Sequence, residues 1–177
     1  DVPFGAFLSG GIDSSAIVAL MARHSEHAVR TFSVGFAEGA YSELGYAREV
    51  AQAYRTEHHE LTVTQAEMVE YLPHITRLRD APVSEPSDVP IFLLSREARR
   101  TVKMVLTGEG SDEFLGGYPK HVFERWAPAA GSVPAPLYRH VLEPLVRALP
   151  YRARRIKTAA LTLGIRDWAT RMPRWFG

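Results

Sequence analysis

A short run rich in glycine and hydroxyl side chains is the strongest chemical signal in this sequence. Residues 9–14 read Ser-Gly-Gly-Ile-Asp-Ser, and Ser15 follows them. Gly10 and Gly11 allow a tight turn and a close approach of the backbone to a ligand. An apolar run precedes the turn and an Ala/Val-rich run follows it, which predicts a strand, a turn and the start of a helix. Free amides and the positive end of the helix dipole favour an anion at such a turn.

The carboxylate within this run conflicts with a site for a bare anion. Asp13 would repel a phosphate group unless a cation lies between them. A Mg²⁺ ion removes the conflict, because proteins bind Mg²⁺ through one or two carboxylates together with substrate phosphates. The alternative is an ordinary strand-to-helix turn with a capping side chain. The complete six-residue pattern between a strand and a helix favours the anion site.

A second polar loop follows another predicted strand. Residues 107–113 read Thr-Gly-Glu-Gly-Ser-Asp-Glu and bring three carboxylates, on Glu109, Asp112 and Glu113, within five residues. Because these carboxylates repel one another, a metal ion or a proton transfer would explain their proximity. We predict that Asp13 and Asp112 share one Mg²⁺ and that Glu109 accepts a proton. A solvated acidic loop is the alternative, and it is strongest for Glu113.

Alternating apolar and amphipathic segments position both loops at the ends of strands. The predicted strands are 4–8, 31–36, 57–63 and 103–107, and the predicted helices are 16–22, 42–54, 65–72 and 91–101. Ser42 is expected to cap the second helix, and the proline-containing segment 79–90 to form a loop. This alternation predicts an α/β fold, with a parallel sheet sandwiched by helices. Ligands in such folds bind at the carboxyl ends of the strands.

The composition changes near Tyr118. The 177 residues carry 21 Lys and Arg and 20 Asp and Glu, a net charge of +1. Residues 1–118 hold 17 acids and 10 bases, whereas residues 119–177 hold 3 acids, 11 bases and 7 of the 12 prolines. We therefore predict an α/β domain over 1–118 and a mainly helical, basic, incomplete region over 119–177, with helices at 137–149 and 154–170 broken by prolines. We expect the chain to be a piece of a longer protein.

The composition also excludes several kinds of protein and site. The absence of cysteine rules out a disulfide, a Cys-bound zinc or a cysteine nucleophile within the chain. No apolar run reaches the roughly 18 residues of a membrane helix, and no signal peptide is recognisable, so we expect a cytoplasmic protein. The basic C-terminal residues contain no recognisable nucleic-acid-binding module, so a solvated helical face explains them better. His58 and His59 face opposite sides of a strand and cannot share a metal; His59 is expected to be packed or hydrogen-bonded.

Four motifs, in order, resemble the asparagine synthase domain of the ATP-pyrophosphatase enzymes. The run at 9–14 is similar to their pyrophosphate loop, and no Walker-type Gly-Lys-Ser/Thr follows it. The other three are Val-Pro-Phe-Gly at 2–5, Phe-Ser-Val-Gly-Phe at 32–36, and the loop at 107–113 followed by Gly-Gly-Tyr at 116–118. The resemblance covers residues 2–121.

This resemblance implies an adenine nucleotide α-hydrolase-like fold and a synthetase that uses ATP and Mg²⁺. A carboxylate, first of all aspartate, would be adenylated with release of pyrophosphate. Ammonia from a glutaminase domain outside this chain would then form the amide, asparagine. The resemblance implies that Glu109 is the catalytic base, that Asp13 and Asp112 bind the metal, and that Gly35 leaves room for the adenine. The implied ATP- and pyrophosphate-binding residues are Leu8, Ser9, Gly10, Gly11, Asp13, Ser14, Val34, Gly35, Gly108 and Tyr118.

Two features depart from the family pattern and leave alternatives open. Residues 83–88 read Val-Ser-Glu-Pro-Ser-Asp, where close asparagine synthetases carry a Thr-Thr-Ile-Arg-like stretch, so another acceptor carboxylate is an alternative to aspartate. Lys157 lies outside any motif that matches the family's C-terminal lysine, and we expect the isolated chain not to turn over alone. The remaining alternatives are a pyrophosphate-loop enzyme acting on tRNA and a nucleotide-binding module without turnover.

Overall fold

The computed structural model divides the chain into two compact units, Asp1–Glu109 and Gly110–Gly177. The structure describes residues 2–37, 42–118, 121–122, 133–163, 165 and 167–171. A sheet lies in the first unit, and short helices make up the described part of the second.

A four-stranded parallel sheet forms the centre of the first unit. Its strands are β1 (Phe4–Phe7), β2 (Arg30–Phe36), β3 (Glu57–Val63) and β4 (Met104–Leu106). Their spatial order is β3-β2-β1-β4, and all three pairs are parallel. The predicted parallel sheet is thus confirmed. Because the order changes direction between β1 and β4, the topological switch point lies at the carboxyl ends of these two strands.

Helices cover both faces of this sheet, as the sequence predicted. They are α1 (Ile12–His24), α2 (Leu44–Ala53), α3 (Gln65–Arg79) and α4 (Asp88–Ala98). On one face, Ala6 and Leu8 pack with Val18 of α1 and with Ala47 of α2. On the other face, Phe32 packs with side chains of α4, and α3 packs against α4. Burial of these apolar side chains on both sides is what a parallel sheet requires.

Two helices begin at residues other than those predicted from the sequence. Helix α1 begins at Ile12, before its predicted start at residue 16; within it Ser14, Val18 and Met21 are buried and Leu20 is 54% exposed. The predicted cap of α2 at Ser42 was wrong. Glu43 is the N-cap, with no hydrogen bond from its side chain, so packing rather than capping fixes this helix start.

Prolines account for the other differences in helix boundaries. Helix α3 continues through Pro73 to Arg79, beyond its predicted end at residue 72, because Ile75 is buried against Val63 on the far side of the proline. Helix α4 begins at Asp88, which places Pro90 in its first turn. A proline there costs little, since the amides of the first turn have no partner within the helix.

The adjacent histidines of β3 face opposite sides, as predicted. The ring of His59 stacks on that of Phe32, with centroids 5.2 Å apart, which confirms that His59 is packed. The Nδ1 atom of His58 lies 2.9 Å from the hydroxyl of Thr31.

The described part of the second unit is helical. Its segments are α5 (Ser111–Leu115), α6 (Ala135–Leu137), a π-helical turn (Tyr138–Leu142), α7 (Glu143–Arg147), a 3₁₀ turn (Tyr151–Ala153), α8 (Arg154–Leu163) and α9 (Trp168–Arg171). Pro144 lies in the first turn of α7, where the π-helical turn gives way to an α-helix, and Pro150 is extended and separates α7 from the 3₁₀ turn. No helix among the described residues is both long and apolar enough to span a membrane.

The turn after β1 rests directly on the start of α2. Gly10 has a φ of +84°, a conformation that favours glycine. A Cβ atom on Gly10 would lie 2.5 Å from the Cβ of Tyr46 and 2.6 Å from the backbone nitrogen of Ala47. The turn therefore depends on glycine both for its conformation and for its packing.

Replacement of Gly10 by alanine should destabilise the chain by about 2 kcal/mol or more, since it combines a left-handed backbone with overpacking. Gly45 is the matched control, because it lies in α2 and a Cβ atom on it would meet nothing within 4 Å. Gly45→Ala should stabilise the helix by about 0.5–1 kcal/mol. Urea unfolding of both variants measures this difference. Equal stability of the two would contradict the packing described for Gly10.

Candidate functional site

The switch point between β1 and β4 carries the first polar loop and, at residues 107–109, the beginning of the second. Leu8 follows β1 directly, and its amide donates to the carbonyl of Phe32 at 2.9 Å. Its carbonyl accepts a hydrogen bond from the hydroxyl of Ser33, which is 2% exposed. Both backbone groups of Leu8 are thus bonded to β2, so the loop leaves the sheet from a fixed point.

The backbone of Val34 points past the end of β1. The carbonyl of Phe32 faces β1, since it accepts from Leu8, and backbone groups along a parallel strand face alternate neighbours. The backbone groups of Val34 therefore face the same way as the backbone groups of Phe32. The paired register of β1 ends at Phe7 with Phe32, and no described residue bonds the Val34 amide on that side. A donor and an acceptor are left at the crevice, on a residue that the resemblance implies for ATP binding.

The side chains of Ser9 and Ser14 brace the glycine turn. Their hydroxyl oxygens lie 3.0 Å apart, and the amide of Ser9 donates to the Ser14 hydroxyl at 3.2 Å. The Ser14 hydroxyl donates to the carbonyl of Gly11, and the amide of Gly11 donates to the Ser9 hydroxyl, both at 3.2 Å. These bonds lie within the turn itself, so the two hydroxyls hold its shape.

The first turn of α1 contains backbone amides that are not used in the glycine turn. Gly11 is the N-cap and has no side chain to cap the helix. The first helical bond is donated by Ser15 to the carbonyl of Gly11. Within the described part of the chain, no backbone partner is bonded to the amides of Ile12, Asp13 or Ser14. Three amides at the positive end of a helix dipole are the kind of donors that favour an anion.

The loop after β4 touches the start of α1. A Cβ atom on Gly108 would lie 3.0 Å from the Cβ of Asp13 and 3.1 Å from the backbone nitrogen of Ser14. The structure therefore brings Gly108 together with two residues of the first loop, as the topology predicted. Glu109 follows it and is exposed; its amide lies 3.4 Å from the hydroxyl of Thr107.

Gly35 has a contact that the sequence did not indicate. A Cβ atom there would lie 2.5 Å from Cδ1 of Leu44 and 2.6 Å from the hydroxyl oxygen of Ser42. The space that this glycine leaves is filled by residues at the start of α2. Its predicted role beside the adenine stays a prediction, whereas packing against α2 already accounts for a glycine at this position.

Asp112, Glu113 and Tyr118 belong to the second unit. Asp112 and Glu113 lie in α5, which Gly110 and Gly116 flank, with φ values of +85° and +70°. The hydroxyl of Tyr118 donates to Oε1 of Glu113 at 2.6 Å, so the tyrosine ties down the end of this helix. The predicted Mg²⁺ shared by Asp13 and Asp112 and the predicted contact of Tyr118 with a nucleotide stay predictions.

The donor set fits a metal that depends on its substrate for ligands. Among the described residues, no group of three or more His, Asp or Glu side chains is placed to hold a metal ion. A Mg²⁺ ion at Asp13 would therefore need phosphate oxygens to complete its shell, and Mg²⁺ is commonly held in this way.

Sequence reasoning missed Ser33 and Tyr46. Ser33 ties the end of β1 to β2, and Tyr46 supports the glycine turn through backbone packing. A serine between Phe32 and Val34 in a strand was a signal for the first. The second depends on a contact between segments distant in the sequence, which no local pattern reveals.

Adjacent serines in α1 offer a test of the brace. Ser14→Ala should cost about 1–2 kcal/mol, because it removes the bonds to Ser9 and Gly11 and leaves their groups unpaired. Ser15→Ala is the control in the same turn: its hydroxyl is buried and has no hydrogen-bond partner among the described residues, so its loss should be neutral or stabilising. Urea unfolding compares the two variants. A larger loss for Ser15→Ala would show that the brace does not hold the turn.

Comparison with known proteins places these loops in a family. The family model for asparagine synthase matches residues 1–175. A putative glutamine-hydrolyzing asparagine synthetase of Mycobacterium tuberculosis (strain ATCC 25618 / H37Rv) is 48% identical over 118 residues, which are 67% of this chain and 18% of that protein. Glutamine-hydrolyzing asparagine synthetase 1 of Bacillus subtilis (strain 168) is 42% identical over 118 residues, with the same coverage of 67% and 18%.

A third relative comes from an archaeon. A putative glutamine-hydrolyzing asparagine synthetase 2 of Methanocaldococcus jannaschii is 39% identical over 123 residues, which are 69% of this chain and 24% of that protein. The chain thus spans about a fifth to a quarter of the length of these relatives. Because the family model matches residues 1–175, which is nearly the whole of this chain, the chain belongs to the asparagine synthase family.

Proposed function

We propose that this chain is the ATP-binding part of a synthetase that adenylates a carboxylate and then converts it to an amide. The observation that carries the proposal is the contact of Gly108 with Asp13 and Ser14, which joins two polar loops at the switch point of a parallel sheet. Membership of the asparagine synthase family supports the same reaction.

Backbone groups would bind most of the nucleotide. The amides of Ile12, Asp13 and Ser14, which have no backbone partner in the described part of the chain, would bind the phosphates that leave as pyrophosphate. The backbone of Val34 would bind the edge of the adenine. Because these donors are fixed before the nucleotide arrives, little reorganisation is needed as negative charge develops.

The chemistry then follows in two steps. An oxygen of the acceptor carboxylate attacks the α phosphorus of ATP, and the bond from that phosphorus to the pyrophosphate breaks. A Mg²⁺ ion held by Asp13 and the phosphates would neutralise charge on the departing pyrophosphate. Asp112 is proposed as a second ligand by resemblance.

In the second step ammonia attacks the acyl carbon of the adenylate. The new carbon–nitrogen bond replaces the bond to AMP, and the nitrogen must lose a proton. We propose that the exposed carboxylate of Glu109, one residue beyond Gly108, accepts this proton. The ammonia would come from glutamine, hydrolysed in a part of the protein outside this chain, as the names of the relatives suggest.

Aspartate is the proposed acceptor, and asparagine the product, by analogy with the named activity of the relatives. The segment 83–88, where the sequence departs from the Thr-Thr-Ile-Arg-like stretch, lies between α3 and α4. Val83 packs against the cluster around Val63 at the carboxyl end of β3. This places the segment at the same edge of the sheet as the two loops, where it would contact an acceptor.

Asp13→Asn in the full-length protein should lower aspartate-dependent ATP/pyrophosphate exchange by about 100-fold or more, because the substitution removes a charge at the metal and leaves the shape of the turn. Glu70→Gln, an exposed carboxylate change in α3, is the control and should leave exchange intact. Normal exchange in the Asp13 variant would contradict the proposed metal role. Exchange that requires another carboxylate would keep the mechanism and change the acceptor.

Glu109→Gln separates the two steps. Exchange of pyrophosphate should continue, because adenylation needs no base at this position, whereas amide formation from added ammonia should fall by about 10²–10⁴-fold. Quenched single turnovers measure the acyl-adenylate and the amide together. Equal loss of both products would contradict a role for Glu109 confined to the ammonia step.

A further inference from the structure

A separate pocket lies between the second half of α2 and the beginning of β3. Its lining consists of Arg48, Ala51, Gln52, Arg55, Thr56 and His58. Thr31 and His58 are register partners near the amino ends of β2 and β3, whereas the two polar loops follow the carboxyl ends of β1 and β4. This pocket is therefore distinct from the nucleotide site proposed above.

Two residues of the lining, Thr56 and His58, belong to a polar cluster around Thr31. The hydroxyl of Thr31, which is fully buried, lies 2.8 Å from that of Thr56 and 2.9 Å from Nδ1 of His58. The Nε2 atom of His58 is also buried; it has no hydrogen-bond partner among the described residues and lies 3.4 Å from Oε1 of Glu60. Burial lowers the pKa of His58 from its usual value, so the ring is neutral at pH 7.

The two arginines of the lining differ in how their charges are balanced. Arg48 makes two bonds of 2.7 Å to the carboxylate of Glu60, which neutralises it. Within the part of the chain that the structure describes, the guanidinium of Arg55 has no acidic partner and the amide side chain of Gln52 has no hydrogen bond. One uncompensated positive charge and one free amide therefore lie at the same pocket.

The backbone of Arg55 forms a turn at the end of α2, and its side chain is exposed. Its φ is +52°, in the left-handed region, and its amide lies 3.3 Å from the carbonyl of Gln52 at the end of α2. This turn keeps the start of the Arg55 side chain beside Gln52 and Thr56. The methyl group of Ala51 and the aliphatic stems of the longer side chains give the walls an apolar character.

We propose that this pocket binds a small organic anion, a carboxylate or a phosphate monoester, through Arg55 and Gln52. The free guanidinium supplies the charge and two parallel donors, which match the oxygens of either group. The amide of Gln52 adds a further donor. The apolar walls favour an anion that carries a short hydrocarbon body, because burial of that body adds to the affinity.

Titration of the isotope-labelled 177-residue chain with sodium propionate and, separately, with inorganic phosphate tests the proposal. We expect saturable changes in amide chemical shift that are confined to residues 48–58, with midpoints in the millimolar range. Tighter binding of propionate would identify carboxylates as the ligand class, and tighter binding of phosphate would identify phosphoryl groups. Changes that rise linearly without saturation, or that spread over all arginines, would overturn the proposal.

Variants at the two ligand residues sharpen this test. Arg55→Asn removes the charge and tolerates the positive φ, so we expect binding to weaken by at least about tenfold. Arg55→Lys retains the charge and should keep part of the affinity. Arg23→Gln removes an exposed arginine in the last turn of α1 and should bind like the original chain.

Gln52→Ala provides a second route should the Arg55 variants fail to fold. It replaces an exposed residue of α2 with the best helix former, so the fold should be kept while the amide donor is lost. We expect its binding to weaken severalfold. Unchanged affinity in both the Arg55→Asn and the Gln52→Ala variants would refute the assigned site.

Discussion

The contact between Gly108 and the first turn of α1 is the constraint on which the candidate site depends. Parallel pairing of β1 with β4 brings the two strand ends side by side, but the loops that follow can meet only where a side chain is missing. Any Cβ atom at Gly108 would press on Asp13 and Ser14, and the first turn of α1 has little freedom to retreat. Its serines are bonded within the turn, and Gly10 rests on α2. Each element therefore limits the position of the next.

In this turn the side chains hold the shape, and the backbone amides are the remaining donors. The hydroxyls of Ser9 and Ser14 are engaged with the turn itself, so they set the direction of the amides rather than serving as spare donors. Backbone amides are suited to phosphate because the fold fixes them in place. The only charged side chain in the turn is Asp13, the residue for which we propose a cation between its carboxylate and a phosphate. A site of this kind gains its positive potential largely from peptide groups, in a unit whose side chains are not basic overall.

Much of the sheet could be predicted from the sequence, and the reason is local. Strand β3 begins and ends at the predicted residues, 57 and 63, because its polar flanks and branched residues are strong signals. The end of α3 could not be predicted, since Pro73 suggested a boundary that tertiary packing of Ile75 overrides. The two loops were recognised because glycine and carboxylate patterns are written in consecutive residues. The support from Tyr46 and the packing of Gly35 against Leu44 depend on contacts between segments, so no local pattern could reveal them.

The packing of Gly10 against Tyr46 and Ala47 has a consequence for how this chain can vary. The turn and the helix beneath it are distant in the sequence, yet a change in the backbone path of either one alters the space open to the other. Transplanting the turn alone into a related scaffold would leave it without the helix start against which it packs. A successful graft must include the first residues of α2. A library that randomises one segment and keeps the other fixed would contain mostly pairs that do not pack together. In recombination between related chains, the two segments should therefore be exchanged together.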